Sequence, residues 1–187
     1  VDHSIAIEKL VASRRAYEDG VSKYYDEVLE DVIRAVETTG SVGKADIGAL
    51  VLWKRISAST RWASALLAKP DTEVRRVTTE VVALARDPAA PASEAASAAL
   101  ARLAGLPGFK ARGALASAVL LAAAPDRMAI YDRRARAGLR EIGLPMSGTK
   151  NVYRRYMETV EDLRRQLRLH GHEWTARDVD KALYWLG

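Results

Sequence analysis

Few residues in this chain of 187 are of the types that do chemistry, and their spacing narrows them further. There is no cysteine, which excludes a disulfide framework, a zinc finger, a cysteine-ligated iron–sulfur cluster and a thiol nucleophile. His170 and His172 flank Gly171 with no third ligand nearby, so a surface turn is the plainer reading. Gly40-Ser41-Val42-Gly43-Lys44 follows a helical segment instead of a strand. It also has Ala45 where a phosphate loop needs Ser or Thr for magnesium. No Ser/His/Asp spacing stands out. What remains is Asp132, heading a segment with Arg133, Arg134, Arg136 and Arg140, and a turn upstream, Leu106-Pro107-Gly108-Phe109-Lys110, with Arg112 just beyond it. Each has a bland reading: an aspartate before a helix is a common N-cap, and the turn is an ordinary helix connection. The four arginines are spaced round their helix, so part of them is solvated surface. A second cluster, Trp53, Lys54, Arg55 and Ser57 with Arg61 and Trp62, mixes aromatic and basic side chains that also suit a core. Tyr153, Arg154, Arg155 and Tyr156 make either phosphate contacts or a packing stripe with a charged edge.

The charge is uneven. The net +5 arises from 29 basic and 24 acidic residues, with 21 Arg against 8 Lys. Residues 1–100 carry 13 basic and 15 acidic side chains, and residues 101–187 carry 16 and 9. A basic half points to a polyanion, most simply nucleic acid, and arginine suits bidentate phosphate contacts. The composition, 49% hydrophobic and 28% charged, is that of a folded domain. The start, Val1-Asp2-His3-Ser4, lacks the layout of a signal peptide, and the longest apolar run, Ala114 to Pro125, is too short to cross a bilayer. The expectation is a soluble, cytoplasmic protein with no membrane partner.

The elements that must position these residues are helical throughout; no run alternates with period two. One or two helices span 4–36, with Gly20 as a break. Others span 46–55, Arg61–Ala68, a segment capped by Asp71 and ending near Arg86, Ser93–Ala104, and Lys110–Ala124. The last of these is apolar almost all round and should be central. Asp132 caps a helix Arg133–Ile142, and a long amphipathic helix faces inward with Tyr153, Tyr156, Met157, Val160, Leu163 and Leu167. Thr175 and Asp178 form a capping box for the final helix. Nine or ten helices with short loops define an all-α fold in a single unit of 187 residues.

The stretch from Ala101 to Leu139 resembles the helix-hairpin-helix DNA glycosylase superfamily, which includes endonuclease III and the 8-oxoguanine and alkylpurine glycosylases. Leu106-Pro107-Gly108 matches its hairpin, Ala114 to Leu121 the second helix, and Asp132 the aspartate that follows it. The match covers about a fifth of the chain well, and residues 41–142 loosely. The resemblance implies a two-lobed fold: residues 41–125 as the helical lobe with the hairpin, and 1–40 plus 126–187 as the second. It implies double-stranded DNA as partner and Asp132 as the catalytic carboxylate, stabilising positive charge on the deoxyribose and orienting water. Gly108, Phe109, Lys110, Arg112 and Arg133 would bind the backbone. Trp53, Lys54, Arg55 and Ser57 would supply the wedge or pocket for a flipped base.

Two departures shape that expectation. Gly108-Phe109-Lys110 stands where the family prefers Gly-x-Gly. The Schiff-base lysine position falls on Arg112 counted from the turn, or near Ala114 counted back from Asp132. A monofunctional glycosylase without metal or other cofactor, of a cluster-free and divergent branch, follows. The alternatives are a non-catalytic DNA-binding protein of the same fold, indifferent to Asp132, and a helical protein-interaction module that binds no DNA.

Overall fold

No residue from Leu115 to Ala123 is exposed, and the other helices assemble around this segment. The computed structural model describes residues 3–58, 61–110 and 113–187. Among the described residues there are ten helices and no strand: α1 His3–Gly20, α2 Glu27–Thr39, α3 Lys44–Trp53, α4 Arg61–Leu67, α5 Asp71–Arg86, α6 Ala92–Leu103, α7 Gly113–Ala123, α8 Arg133–Glu141, α9 Val152–Leu169 and α10 Ala176–Leu186. The protein is all-α. None of these helices is long and apolar enough to cross a membrane.

An apolar helix needs partners on every side, and α7 has them in α2, α3, α5 and α6. A second group forms around α10, which packs on α1, α8 and α9; α6 against α9 joins the two groups. One continuous hydrophobic core runs through both. The sequence grouping set residues 1–40 apart from 41–125, but α2 packs on α3 and α7. Its Leu29, Val32 and Val36 recur at helical spacing and are all buried.

Two helix ends differ from the sequence expectation for identifiable reasons. Asp71 does not cap its own helix: Pro70 holds that position, and Asp71 instead accepts the Lys44 N–H at 2.7 Å, capping α3 from α5. α3 stops at Trp53 rather than Arg55. The Arg55 N–H donates to the Leu52 carbonyl and the Ile56 N–H to the Val51 carbonyl, both at 2.9 Å. This pair is the Schellman closure of a helix. The final helix starts as read: the Thr175 hydroxyl accepts from the Asp178 N–H, and the Asp178 carboxylate accepts from the Thr175 N–H at 2.9 Å.

The segment between α7 and α8 determines where Asp132 stands. Met128, Ala129 and Ile130 are fully buried, so this stretch is anchored by core packing, unlike a surface loop. Its backbone groups are satisfied from neighbouring helices. The Tyr131 N–H donates to the Ser117 hydroxyl of α7 at 3.0 Å, and the Tyr153 hydroxyl of α9 donates to the Ala129 carbonyl at 2.9 Å.

Candidate functional site

Asp132 is the N-cap of α8: its backbone is extended, and its Oδ1 accepts the Ala135 N–H at 2.9 Å. Its second oxygen accepts from Lys54 Nζ at 2.7 Å, with the two side chains only 15% and 10% exposed respectively. The structure thus brings together two residues, 78 positions apart, that the sequence singled out separately. Lys54 arrives there because the Schellman turn ends α3 just before it.

Arg55 pays for that turn with a left-handed backbone, φ +51°. A side chain in this region costs about 1 kcal/mol relative to glycine. Arg55→Gly is therefore expected to raise stability by about 0.5–1 kcal/mol in denaturant titration. A loss of stability would show that the exposed Arg55 side chain, whose nearest partner is the Tyr184 hydroxyl at 3.5 Å, outweighs the backbone strain.

Beyond Lys54 lies a recess lined by Tyr17, Tyr25, Trp53, Arg177, Asp180 and Tyr184. Its volume of about 10 Å³ is that of a single water and far below that of a base. Its wall holds an ionic cluster. Arg177 pairs with Asp180 and, at 3.0 Å, with Asp26; Lys181 reaches Asp26 at 3.1 Å. The Arg177 guanidinium also lies 5.3 Å from the Trp53 ring. Asp180 is 2% exposed. Burial pushes its carboxyl above the ordinary range, against the opposing pull of Arg177 and Lys54. Burial disfavours the Arg177 charge, but Asp180 and Asp26 outweigh it and hold the guanidinium protonated beyond its ordinary range.

Several donors around this cluster have hydrogen-bonding capacity to spare. The hydroxyls of Tyr17 and Tyr156, the Trp53 indole N–H and the Arg177 Nε–H are buried with no hydrogen-bond partner among the described residues. A buried unpaired donor of this kind costs about 1–3 kcal/mol. Burial, reinforced by Asp180, raises the Tyr156 hydroxyl well above its usual titration range, so it stays a neutral donor.

The remaining sequence-selected residues fall in different places. Trp53 is 5% exposed and forms part of the recess wall, so of the two roles expected of it, wedge or pocket, only the wedge is corrected: a wedge must protrude to enter a base stack. Phe109 is likewise in the core at 2%, so its side chain is closed to DNA and only its backbone remains for contact. Gly108 has φ +93°, and a Cβ on it would meet the Trp62 ring at 2.3 Å. The hairpin glycine is thus required both by its backbone and by the indole of α4 packed on it. Lys110 and Ser57 are exposed, and Arg112 lies outside the described residues. Arg133 is exposed at the first turn of α8.

Sequence reasoning missed Asp26, Arg177, Asp180 and Lys181. A signal was present: Asp180 occupies a stripe position shared with the buried Ala176, Val179 and Leu183, with Arg177 three residues before it. A carboxylate on an apolar face requires a partner, and the i,i+3 arginine is one.

Fold and site together define an all-α protein with an ion-paired carboxylate, Asp132, between a small polar recess and the exposed arginines of α8. No family model matches the chain, and neither curated proteins nor solved structures provide a match. Among the described residues no group of histidine and carboxylate side chains is arranged to hold a metal ion.

Proposed function

We propose that this chain is a DNA-binding protein of the helix-hairpin-helix glycosylase type, hydrolysing the N-glycosidic bond of a damaged base without lyase chemistry. One observation carries the reading: a Leu-Pro-Gly turn with a positive-φ glycine leads into a buried helix, and a core-anchored segment then delivers Asp132 to the head of a basic helix beside Lys54. In this reading the two lobes are the helices around α7 and those around α10, with α2 joining the first. The hairpin backbone, Lys110, Arg112 and Arg133 take phosphates, and Asp132 stabilises the positive charge that develops on the sugar as the base departs. Lys54 must yield Asp132 to the substrate, and Lys54 and Tyr184 must swing aside, because the recess is too small for a base as it stands.

The test is base release from a panel of lesion-containing duplexes, comparing wild type with Asp132→Asn. Asparagine retains an oxygen for the Ala135 cap but leaves Lys54 without its counter-ion, so circular dichroism melting of the variant accompanies the assay to confirm that it is folded. Release should fall by at least 100-fold, in line with the loss of an electrostatic catalytic group. Equal release by both proteins, or none from any lesion, would sink the catalytic reading.

A second reading, a non-catalytic DNA-binding protein, draws on a specific observation: both carboxylate oxygens of Asp132 are already engaged, one by Ala135 and one by Lys54. It predicts salt-sensitive duplex binding without base release, unchanged in Asp132→Asn.

A further inference from the structure

α8 places Arg133, Arg134, Arg136 and Arg140 along a groove of about 510 Å³ that also includes Pro145 and Met146. Sequence spacing suggested arginines scattered around the helix, but all four line this groove. Ala137 and Gly187 complete the lining, which holds no carboxylate side chain among the described residues. Among the described residues none of the four takes part in an ion pair, whereas Arg102, Arg154, Arg164, Arg165 and Arg168 are each paired with a carboxylate. The Arg134 guanidinium lies 4.7 Å from the Tyr184 ring, and Arg136 is close enough to Tyr131 to act on its hydroxyl electrostatically.

This arrangement works against the helix that carries it. Arg133 with Arg136, and Arg136 with Arg140, are like-charge neighbours at i,i+3 and i,i+4. Arg133, Arg134 and Arg136 also crowd the positive end of the α8 dipole, where anions belong. Asp132 caps that end through Ala135, but its charge is shared with Lys54. An external anion relieves both strains at once.

Its chemistry follows from the residue type and the spacing. Guanidinium forks match phosphate oxygens in bidentate fashion. Arg133, Arg136 and Arg140 repeat along one side over seven residues, about 10 Å of helix. That length spans about three phosphates of one DNA strand at roughly 3.4 Å each along the axis.

We propose that the α8 groove is a phosphate-backbone site for double-stranded DNA, seating the strand that passes Asp132. This inference rests on the DNA-binding reading above, but does not require base release.

The experiment is fluorescence anisotropy of the full chain with a lesion-free 20-base-pair duplex over a range of salt concentrations. The comparison is wild type, Arg136→Glu/Arg140→Glu, and the distant control Arg165→Glu, with circular dichroism melting as a check on folding. The α8 variant should bind at least tenfold more weakly at low salt, and its slope of log affinity on log salt should be shallower by about two. The control should shift far less. Wild-type binding with an unchanged α8 variant would overturn the groove while leaving the hairpin reading intact. Absence of duplex binding by wild type at low salt would overturn both. Binding that is lost in the α8 variant, with no base released by wild type, supports the groove and removes only the glycosylase reading.

Discussion

Arg177→Ala is expected to lower the unfolding free energy by about 3–5 kcal/mol, the usual consequence of removing one partner from a buried ionic cluster. The guanidinium is only 15% exposed and is shared by Asp26 and Asp180, at 18% and 3% exposure. Without it, among the described residues, Asp180 has no cation within ion-pair distance and Asp26 keeps only Lys181. The penalty should depend on pH. The Asp180 carboxyl already sits above its ordinary range of 3.8 in the folded protein, and losing Arg177 removes the largest opposing influence, lifting it further. A folded-state carboxyl that holds its proton more tightly than the unfolded one loses stability as pH rises through the window between the two. The difference between wild type and Arg177→Ala should therefore be smallest near pH 4 and widen toward neutrality. Asp178 is held below its ordinary range, because its bonds from Thr175 and Arg14 outweigh burial. It titrates in the opposite sense, but is common to both proteins and cancels in the difference. Urea titrations at several pH values measure this; a penalty below 1 kcal/mol, or one independent of pH, would show that the cluster is not energetically coupled.

Gly138→Ala should be nearly as damaging for a different reason. Gly138 lies in the middle of α8, where alanine ordinarily stabilises a helix by up to about 1 kcal/mol. Here a Cβ would stand 2.1 Å from the Leu183 carbonyl oxygen of α10. The obstacle is backbone, so relief requires the two helices to part. The expected loss is about 2–4 kcal/mol, at the upper end for overpacking, or roughly 5–12 °C in melting temperature for a domain of this size. Gly48→Ala is the matched control: it is an exposed glycine within α3, with nothing within 4 Å of a Cβ, and should stabilise by about 0.5–1 kcal/mol. If both substitutions stabilise the protein, helix propensity and not the α8–α10 contact governs position 138. The contact also bears on the site, since α8 carries Asp132 at its head and the arginine groove along its side.

Much of the local structure could be read from residue order. Apolar spacing located nearly every helix because burial of one face repeats with the helical period. Asp132 and Thr175 declared their capping roles because a cap is a contact over three residues. Helix ends governed by a distant partner were not legible: Asp71 looks like the cap of its own helix, yet serves α3.

The site divides along the same line. Chain order alone determined that a Leu-Pro-Gly turn, an apolar helix and an aspartate heading a basic helix occur in succession, and that position 108 holds a glycine. Tertiary structure decided that Lys54 closes on Asp132, that Trp53 and Phe109 turn inward, that Arg177 and Asp180 form a buried cluster with Asp26, and that four arginines share one groove. The spacing within α8 and α10 offers the arginines and the Arg177–Asp180 pair, but what they face depends on which surfaces of separate helices meet. Those meetings are set by the packing of the whole core around α7 and α10.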